Sequence, residues 1–156
     1  MPVEKLKQFL DERGVKYVTI THSKAYTAQD VAASAHIPGK EIAKTVMVKV
    51  DGDMAMAVLP ASYNVDFEQL KRATGSATVE LATEDEFKSL FPDCEVGAMP
   101  PFGSLYGMQT FMAASLAEDE EIAFNAGTHT ELIKMPFSAY FRLENPVELA
   151  FSFEPA

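Results

Sequence analysis

Two strand-like runs separated by a short turn constrain this chain more than any other feature. Residues 44–50 alternate in character and residues 54–59 are all apolar, with Asp51-Gly52-Asp53 between them. Aspartate and glycine are typical of tight turns with positive φ, so the segment predicts a β-hairpin. Pro60 ends the second run, because proline cannot donate a hydrogen bond to a neighbouring strand. The fold must therefore contain an antiparallel pair of strands.

Lys44 stands at the start of the first run. In a strand it shares one face with Val46, Val48 and Val50, and these valines mark that face as the predicted core face. Lysine is almost never fully buried without a partner. Either its aliphatic stem reaches solvent at the strand end, or its ammonium lines a pocket that binds an anion.

Helical patterns are interspersed with the strand patterns. Helices are predicted at 3–13 (stopped by Gly14), from Thr27 to 35, from Asp66 to 73 (stopped by Gly75), from Thr83 to about 91, and from Pro136 to 143. Further strands are predicted at 16–22, 78–81, 106–112, 121–125, 131–135 and 147–153. Interspersed helices with at least one hairpin predict an α/β (α+β) fold with a mixed sheet.

Length and charge narrow the class of protein. The 156 residues suit one domain, 1–156. The net charge of −10 argues against a general nucleic-acid coat protein, but not against a small site for one nucleic-acid end. No signal peptide or membrane span is apparent, and the single Cys94 excludes an internal disulfide and fits a cytoplasmic protein. His22, His36 and His129 are scattered, so no metal site and no cofactor is expected.

Two further segments could carry chemistry. Residues 97–103 hold two prolines between terminal glycines, and such a stiff loop can aim backbone N–H groups at a substrate oxygen. It could equally be a rigid connection. Residues 121–135 predict strand, turn and strand, and the turn carries Gly127 and His129. His129 could exchange protons near neutral pH, or be an ordinary surface or capping residue.

Together these segments resemble the YbaK/EbsC family, the free-standing relatives of the editing domain inserted in bacterial prolyl-tRNA synthetases. The likeness is carried by Ala43-Lys44-Thr45-Val46, by Gly97 to Pro101 followed by Phe102-Gly103, and by Phe124-Asn125-Ala126-Gly127. It covers nearly the whole chain. It implies a curled, mixed and partly barrel-like β-sheet surrounded by helices.

The resemblance also implies an activity, which is hydrolysis of the ester between a wrong amino acid and a tRNA. Lys44 would match the functional lysine of the family. The implied substrate-binding residues are Gly97, Ala98, Met99, Pro100, Pro101, Gly127 and His129. The implied partner is the acceptor end of a tRNA carrying a small amino acid, on tRNA-Pro or a related tRNA. A synthetase such as prolyl-tRNA synthetase could deliver it.

The chemistry of such a reaction fits these residue types. Water suffices as nucleophile if it and the ester are oriented, and rigid N–H donors stabilise the developing oxyanion. Lys44 would supply a point charge for a carbonyl or phosphate oxygen. Cys94 is expected to be a buried, inert thiol. Met47, Met56, Met99 and Phe102 could line a pocket, although core packing is expected for each.

Two alternatives remain open at the level of sequence. A non-catalytic module that binds a synthetase or tRNA would fit the net charge and the lack of an obvious acid–base pair. A small hydrolase of free esters or thioesters would act equally well without tRNA.

Overall fold

The computed structural model describes residues 4–21 and 42–153. The helices are α1 (Glu4–Glu12), α2 (Phe67–Thr74), α3 (Glu84–Phe87) and α4 (Phe137–Glu144). The strands are β1 (Val18–Thr21), β2 (Ala43–Val50), β3 (Asp53–Pro60), β4 (Asn64–Val65), β5 (Val79–Leu81), β6 (Gln109–Ala113), β7 (Glu121–Asn125), β8 (Glu131–Pro136), β9 (Val147–Leu149) and β10 (Ser152–Phe153). Short 3₁₀ helices span Lys88–Leu90, Gly103–Tyr106 and Ala114–Glu118.

The predicted hairpin is confirmed. Strands β2 and β3 pair antiparallel from Ala43 opposite Pro60 to Val50 opposite Asp53. Asp51 and Gly52 both have positive φ, at 50° and 85°, which is the backbone geometry of the tight turn that joins twisted strands.

This hairpin lies within a five-stranded sheet of order β5-β2-β3-β6-β9. Strand β2 pairs antiparallel with β3 and β5, whereas β3 with β6 and β6 with β9 are parallel. The mixed sheet is therefore as predicted. A second sheet has the order β1-β8-β7, and an isolated parallel bridge between Ile42 and Ala123 links it to the first. The described strands form open sheets and no closed barrel.

Both faces of the large sheet are buried, which corrects the prediction of a single core face. Strand β2 sends Met47 into one cluster, called here the major core, and Val48 into another, called the minor core. The major core also holds Met56, Val58, Met99, Phe102, Met112, Phe124 and Tyr140; the minor core also holds Ala55, Ala57, Leu59, Leu70 and Phe151. Lys44 lies opposite Leu59 and so shares the minor-core face.

The helix termini follow their capping residues. Asp66 caps α2 by accepting the Gln69 N–H, and Gly75 ends that helix with a left-handed φ of 67°. Thr83 and Glu86 form the predicted capping box of α3. Pro136 is the cap of α4 and not its first helical residue.

The C-terminal segment differs from the prediction of one strand over 147–153. Strand β9 joins the large sheet and β10 pairs with β4, so the chain changes sheets between them. The helix predicted from Thr27 and the histidines at 22 and 36 lie outside the described residues. No helix within residues 4–21 and 42–153 is long and apolar enough to cross a membrane.

Candidate active site

The glycine–proline loop is fastened to the turn that follows β7. The Glu95 N–H donates to the Gly127 carbonyl at 2.7 Å, and the Gly127 N–H donates to the Ala98 carbonyl at 2.9 Å. Gly97 and Gly127 have φ values of 86° and 98°, which other residues adopt only with strain. The glycines of the two motifs are therefore required by the geometry that joins them.

His129 fixes the same contact from inside the protein. Its backbone N–H donates to Oε1 of Glu95 at 2.7 Å, and its Nε2 lies 2.8 Å from the Val96 carbonyl oxygen. A carbonyl oxygen can only accept, so Nε2 carries the hydrogen and donates. The side chain is buried at 5% exposure and a Cβ on Gly97 would lie 3.5 Å from its Cε1. His129 is thus a buried support of the loop, and the interpretation as a surface residue is wrong.

Two backbone N–H groups of the loop have no acceptor among the described residues. The Ala98 N–H donates to the Glu95 carbonyl, the Phe102 N–H to that of Pro100 and the Gly103 N–H to the Thr110 hydroxyl, while Pro100 and Pro101 have no N–H. The groups that remain are those of Gly97 and Met99. Met99 is buried at 5% exposure, and a buried N–H without an acceptor is uncommon in proteins. Neither N–H group is therefore paired within residues 4–21 and 42–153.

Lys44 lies at the end of the sheet where β7 leads into this turn. Because Ile42 and Ala123 form a parallel bridge, Lys44 and Asn125, each two residues further on, lie at the same level. Lys44 is half-buried, and burial lowers the pKa of its ammonium below the usual value for lysine. No carboxylate or hydrogen-bond acceptor within residues 4–21 and 42–153 contacts it. It is therefore a partly desolvated cation able to bind an oxygen.

Thr45 follows Lys44 in the chain, with its side chain on the other face of the strand, and Asn125 lies level with Lys44; in the sequence both are only parts of motifs, and no role was predicted for either. The Oγ1 of Thr45 and the Oδ1 of Asn125 are inaccessible to solvent and have no hydrogen-bond partner in the described part of the chain. Phe124 points into the major core, so Asn125 points to the opposite face, which Lys44 shares. The available signal was a polar residue directly after the apolar run Ile122-Ala123-Phe124.

The remaining sequence candidates have structural roles. Met47, Met56, Met99 and Phe102 are buried in the major core, which confirms the expectation of packing for each. Cys94 is half-buried with its Sγ 3.5 Å from the Tyr106 hydroxyl, and burial raises the pKa of the thiol to about 11. A thiol with that pKa is almost wholly protonated at neutral pH, which makes it a poor nucleophile.

Known proteins of tRNA editing and charging are similar to this chain in sequence. Over 149 residues the chain is 28% identical to the multifunctional Ser/Thr-tRNA deacylase ProXp-y of Escherichia coli (strain K12), covering 92% of this chain and 88% of that protein. Over 92 residues it is 29% identical to a proline–tRNA ligase of Bacillus mycoides (strain KBAB4), covering 59% of this chain but only 16% of the ligase.

A solved structure shares the fold. A proposed trans-editing enzyme for prolyl tRNA synthetase superposes with a TM-score of 0.81 at 18% identity, covering 97% of this chain and 96% of that one. The family described as the aminoacyl-tRNA editing domain matches residues 22–143, well over half of the 156 residues. The chain therefore belongs to the aminoacyl-tRNA editing domain family.

Proposed function

We propose that this protein is a trans-editing deacylase, which hydrolyses the ester that joins a wrongly attached amino acid to a tRNA. A water molecule adds to the ester carbonyl carbon, and the bond to the terminal ribose oxygen then breaks. The ribose oxygen receives a proton, so the products are a free amino acid and an uncharged tRNA. The editing-domain family and the ProXp-y relative support this class of reaction.

One observation carries the proposed mechanism, namely the stiff loop whose Gly97 and Met99 N–H groups have no acceptor within residues 4–21 and 42–153. Negative charge develops on the carbonyl oxygen when water adds, and preorganised N–H donors stabilise it without reorganising. The buried contacts of His129 and Glu95 hold the loop in place before the substrate arrives. We assign the oxyanion to this loop.

Lys44 has a second role in the proposal. Its ammonium is partly desolvated and has no carboxylate partner in the described part of the chain, so it can pair with a phosphate or carbonyl oxygen of the tRNA terminus. Because the Cys94 thiol is half-buried and its pKa is raised to about 11, it is protonated at neutral pH, and water is the nucleophile we propose.

For the substrate we propose a small amino acid on tRNA-Pro or a related tRNA, with prolyl-tRNA synthetase as a possible source. The basis is the deacylase activity of the E. coli relative on Ser/Thr-tRNA and the similarity to part of a proline–tRNA ligase. A selective synthetase cannot reject near-isosteric amino acids by binding alone, since a methylene is worth only about 1–3 kcal/mol. Such a role would place the protein in the cytoplasm, where translation occurs.

The deciding experiment is a panel of tRNAs charged with alanine, serine, threonine or cysteine, with and without prolyl-tRNA synthetase. We expect release of at least one amino acid, loss of that release in Lys44→Met, and full release in Lys16→Met, which changes an exposed lysine near β1. Absence of release from every tRNA would refute the proposal and favour the non-catalytic binding module.

Free aminoacyl esters separate the deacylase from a general esterase. We expect much slower hydrolysis of a simple seryl or alanyl ester than of the matching aminoacyl-tRNA. Equal rates would favour the small hydrolase of free esters. With a net charge of −10, we also expect tRNA binding to be weak and to fall as salt increases.

A further inference from the structure

Helix α4 contacts the far half of the glycine–proline loop through a buried tyrosine. The Tyr140 hydroxyl donates to the Pro101 carbonyl oxygen at 2.9 Å, and the side chain is fully buried. Its ring packs edge-on against Phe102, the next residue of the loop, with centroids 5.2 Å apart. The Tyr140 side chain thus fixes the orientation of the Pro101 carbonyl and contacts the buried ring of Phe102.

One turn further along α4, Glu144 binds the segment into which the loop continues. Its Oε1 accepts from the Ser104 hydroxyl at 2.5 Å, and its Oε2 accepts from the Thr110 hydroxyl at 2.6 Å and from the Ser104 N–H at 3.2 Å. Thr110 Oγ1 in turn accepts the Gly103 N–H at 3.1 Å. A Cβ on Gly103 would lie 2.5 Å from that oxygen, so only glycine permits the contact.

Burying the Glu144 carboxylate in this position costs desolvation free energy. It is 8% exposed, and burial raises its pKa although the hydroxyls and N–H groups that donate to it lower the pKa. No cation in the described part of the chain pairs with it. An apolar side chain of similar size would usually stabilise a core as well as a buried charge does. What the carboxylate provides is a fixed position for three donors, which are the Ser104 N–H, the Ser104 hydroxyl and the Thr110 hydroxyl.

Two prolines connect the carbonyl that Tyr140 binds to Met99, whose N–H is one of the proposed oxyanion donors. Only Pro100 and Pro101 separate Met99 from the carbonyl that Tyr140 binds, and each proline ring fixes its own φ and restricts the residue before it. Fixing the Pro101 carbonyl therefore limits the directions in which the Met99 N–H can point.

We propose that Tyr140 and Glu144 are positioning residues for deacylation, which hold the 97–103 loop so that the N–H groups of Gly97 and Met99 face the ester oxygen. This inference rests on the proposed function of the loop. Neither residue touches the substrate; each acts through the backbone of residues 101–104. The turn around Gly127 and His129 fixes one half of the loop, and α4 fixes the other.

The first test compares two tyrosines that each donate a hydrogen bond of 2.9 Å. Tyr140→Phe removes only the bond to Pro101, whereas Tyr17→Phe removes a bond to Asp11 far along the chain from the loop. Assayed well below the unfolding temperature of each variant, Tyr140→Phe should lose about 10-fold in kcat with KM within about twofold of wild type. Tyr17→Phe should change neither constant. An unchanged kcat in Tyr140→Phe would overturn the inference.

The second test separates position from charge at Glu144. Glu144→Gln keeps an oxygen for the Thr110 hydroxyl and the Ser104 N–H, and its amide can donate to the Ser104 oxygen. We expect it to retain kcat within about threefold, whereas the apolar Glu144→Leu should lose about 10-fold or more. An equal loss of kcat in Glu144→Gln and Glu144→Leu would show that the charge of Glu144 matters and not the position it imposes, and would overturn the role proposed for Glu144.

A readout without turnover distinguishes failure of this inference from failure of the proposed function. The amide NMR resonances of Gly97 and Met99 should shift in Tyr140→Phe and Glu144→Leu but not in Tyr17→Phe. If the wild type hydrolyses no aminoacyl-tRNA, the proposed function is wrong, yet these shifts would still establish that α4 positions the loop. Unmoved resonances would overturn the positioning, whatever the activity.

Discussion

Replacing Gly97 by alanine tests the proposed oxyanion loop most directly. A Cβ at this position would lie 3.5 Å from His129 Cε1, which is ordinary van der Waals contact, so no steric clash is expected. The cost comes from the backbone, because φ is 86° and an L-residue is strained there by about 1–2 kcal/mol. For a domain of this size each kcal/mol lowers Tm by about 2–4 °C, so we expect a fall of about 2–8 °C.

Activity should fall by more than this strain accounts for. If alanine relaxes φ toward negative values, the Gly97 N–H turns away and the neighbouring Met99 N–H moves with it. Loss of one oxyanion donor typically costs about 100-fold or more in kcat. We therefore expect Gly97→Ala to fold at room temperature and to lose about 100-fold in kcat.

Gly14→Ala provides the matched control. Gly14 follows α1, has a φ of 66°, and a Cβ there would meet nothing within 4 Å. Its backbone strain is of the same kind, so thermal unfolding followed by circular dichroism should show a comparable fall in Tm, while hydrolysis of mischarged tRNA stays at the wild-type rate. Wild-type kcat in Gly97→Ala, at a lowered Tm, would refute the oxyanion role; an unchanged Tm would refute the strain argument.

Three further outcomes follow from the structure. Lys44→Met should abolish deacylation. The variant should unfold at or above the wild-type Tm, because the half-buried ammonium, whose desolvation lowers its pKa, is replaced by an uncharged side chain. A lower Tm would contradict that account. Thr45→Val should raise the free energy of unfolding in urea by about 1 kcal/mol, since it removes a buried hydroxyl without a partner in the described residues, and destabilisation would refute this. The Lys49 ammonium, 2.5 Å from Glu86, together with the Thr83 N–H and hydroxyl lowers the pKa of that carboxyl to about 2, so the stabilisation by the charged carboxylate is present above pH about 4.5 and is lost as pH falls through about 2. Glu86→Gln should therefore lower Tm more at neutral pH than near pH 2, and an equal effect at both would contradict the assignment.

Local features could be predicted because their causes are local. The Asp51-Gly52 turn, the Asp66 cap and the Gly75 stop each follow from the φ or hydrogen-bond preference of one or two residues. The motif glycines belong to the same class, since Gly97 and Gly127 both have the positive φ that glycine favours. The family resemblance rested on these residues, and the family match over residues 22–143 confirms it.

Features that depend on pairing between distant segments could not be predicted. Alternation in β2 indicated one core face, but the second face is covered by Met99 and Phe102, which lie about 50 residues away in the sequence. The division of residues 147–153 between two sheets has the same cause, because β9 pairs with β6 and β10 with β4.

The sequence by itself determined the hairpin, both ends of α2, the capping box of α3, the family and the identity of the loop, because each depends on the conformational preferences of neighbouring residues. Only the tertiary structure decided what holds the loop. His129 looked like an ordinary turn residue, and Tyr140 and Glu144 gave no signal at all, yet all three bind the loop or its continuation. A hydrogen bond between residues 39 or 40 positions apart leaves no periodic trace in a sequence, since only the packing of α4 brings its partners together.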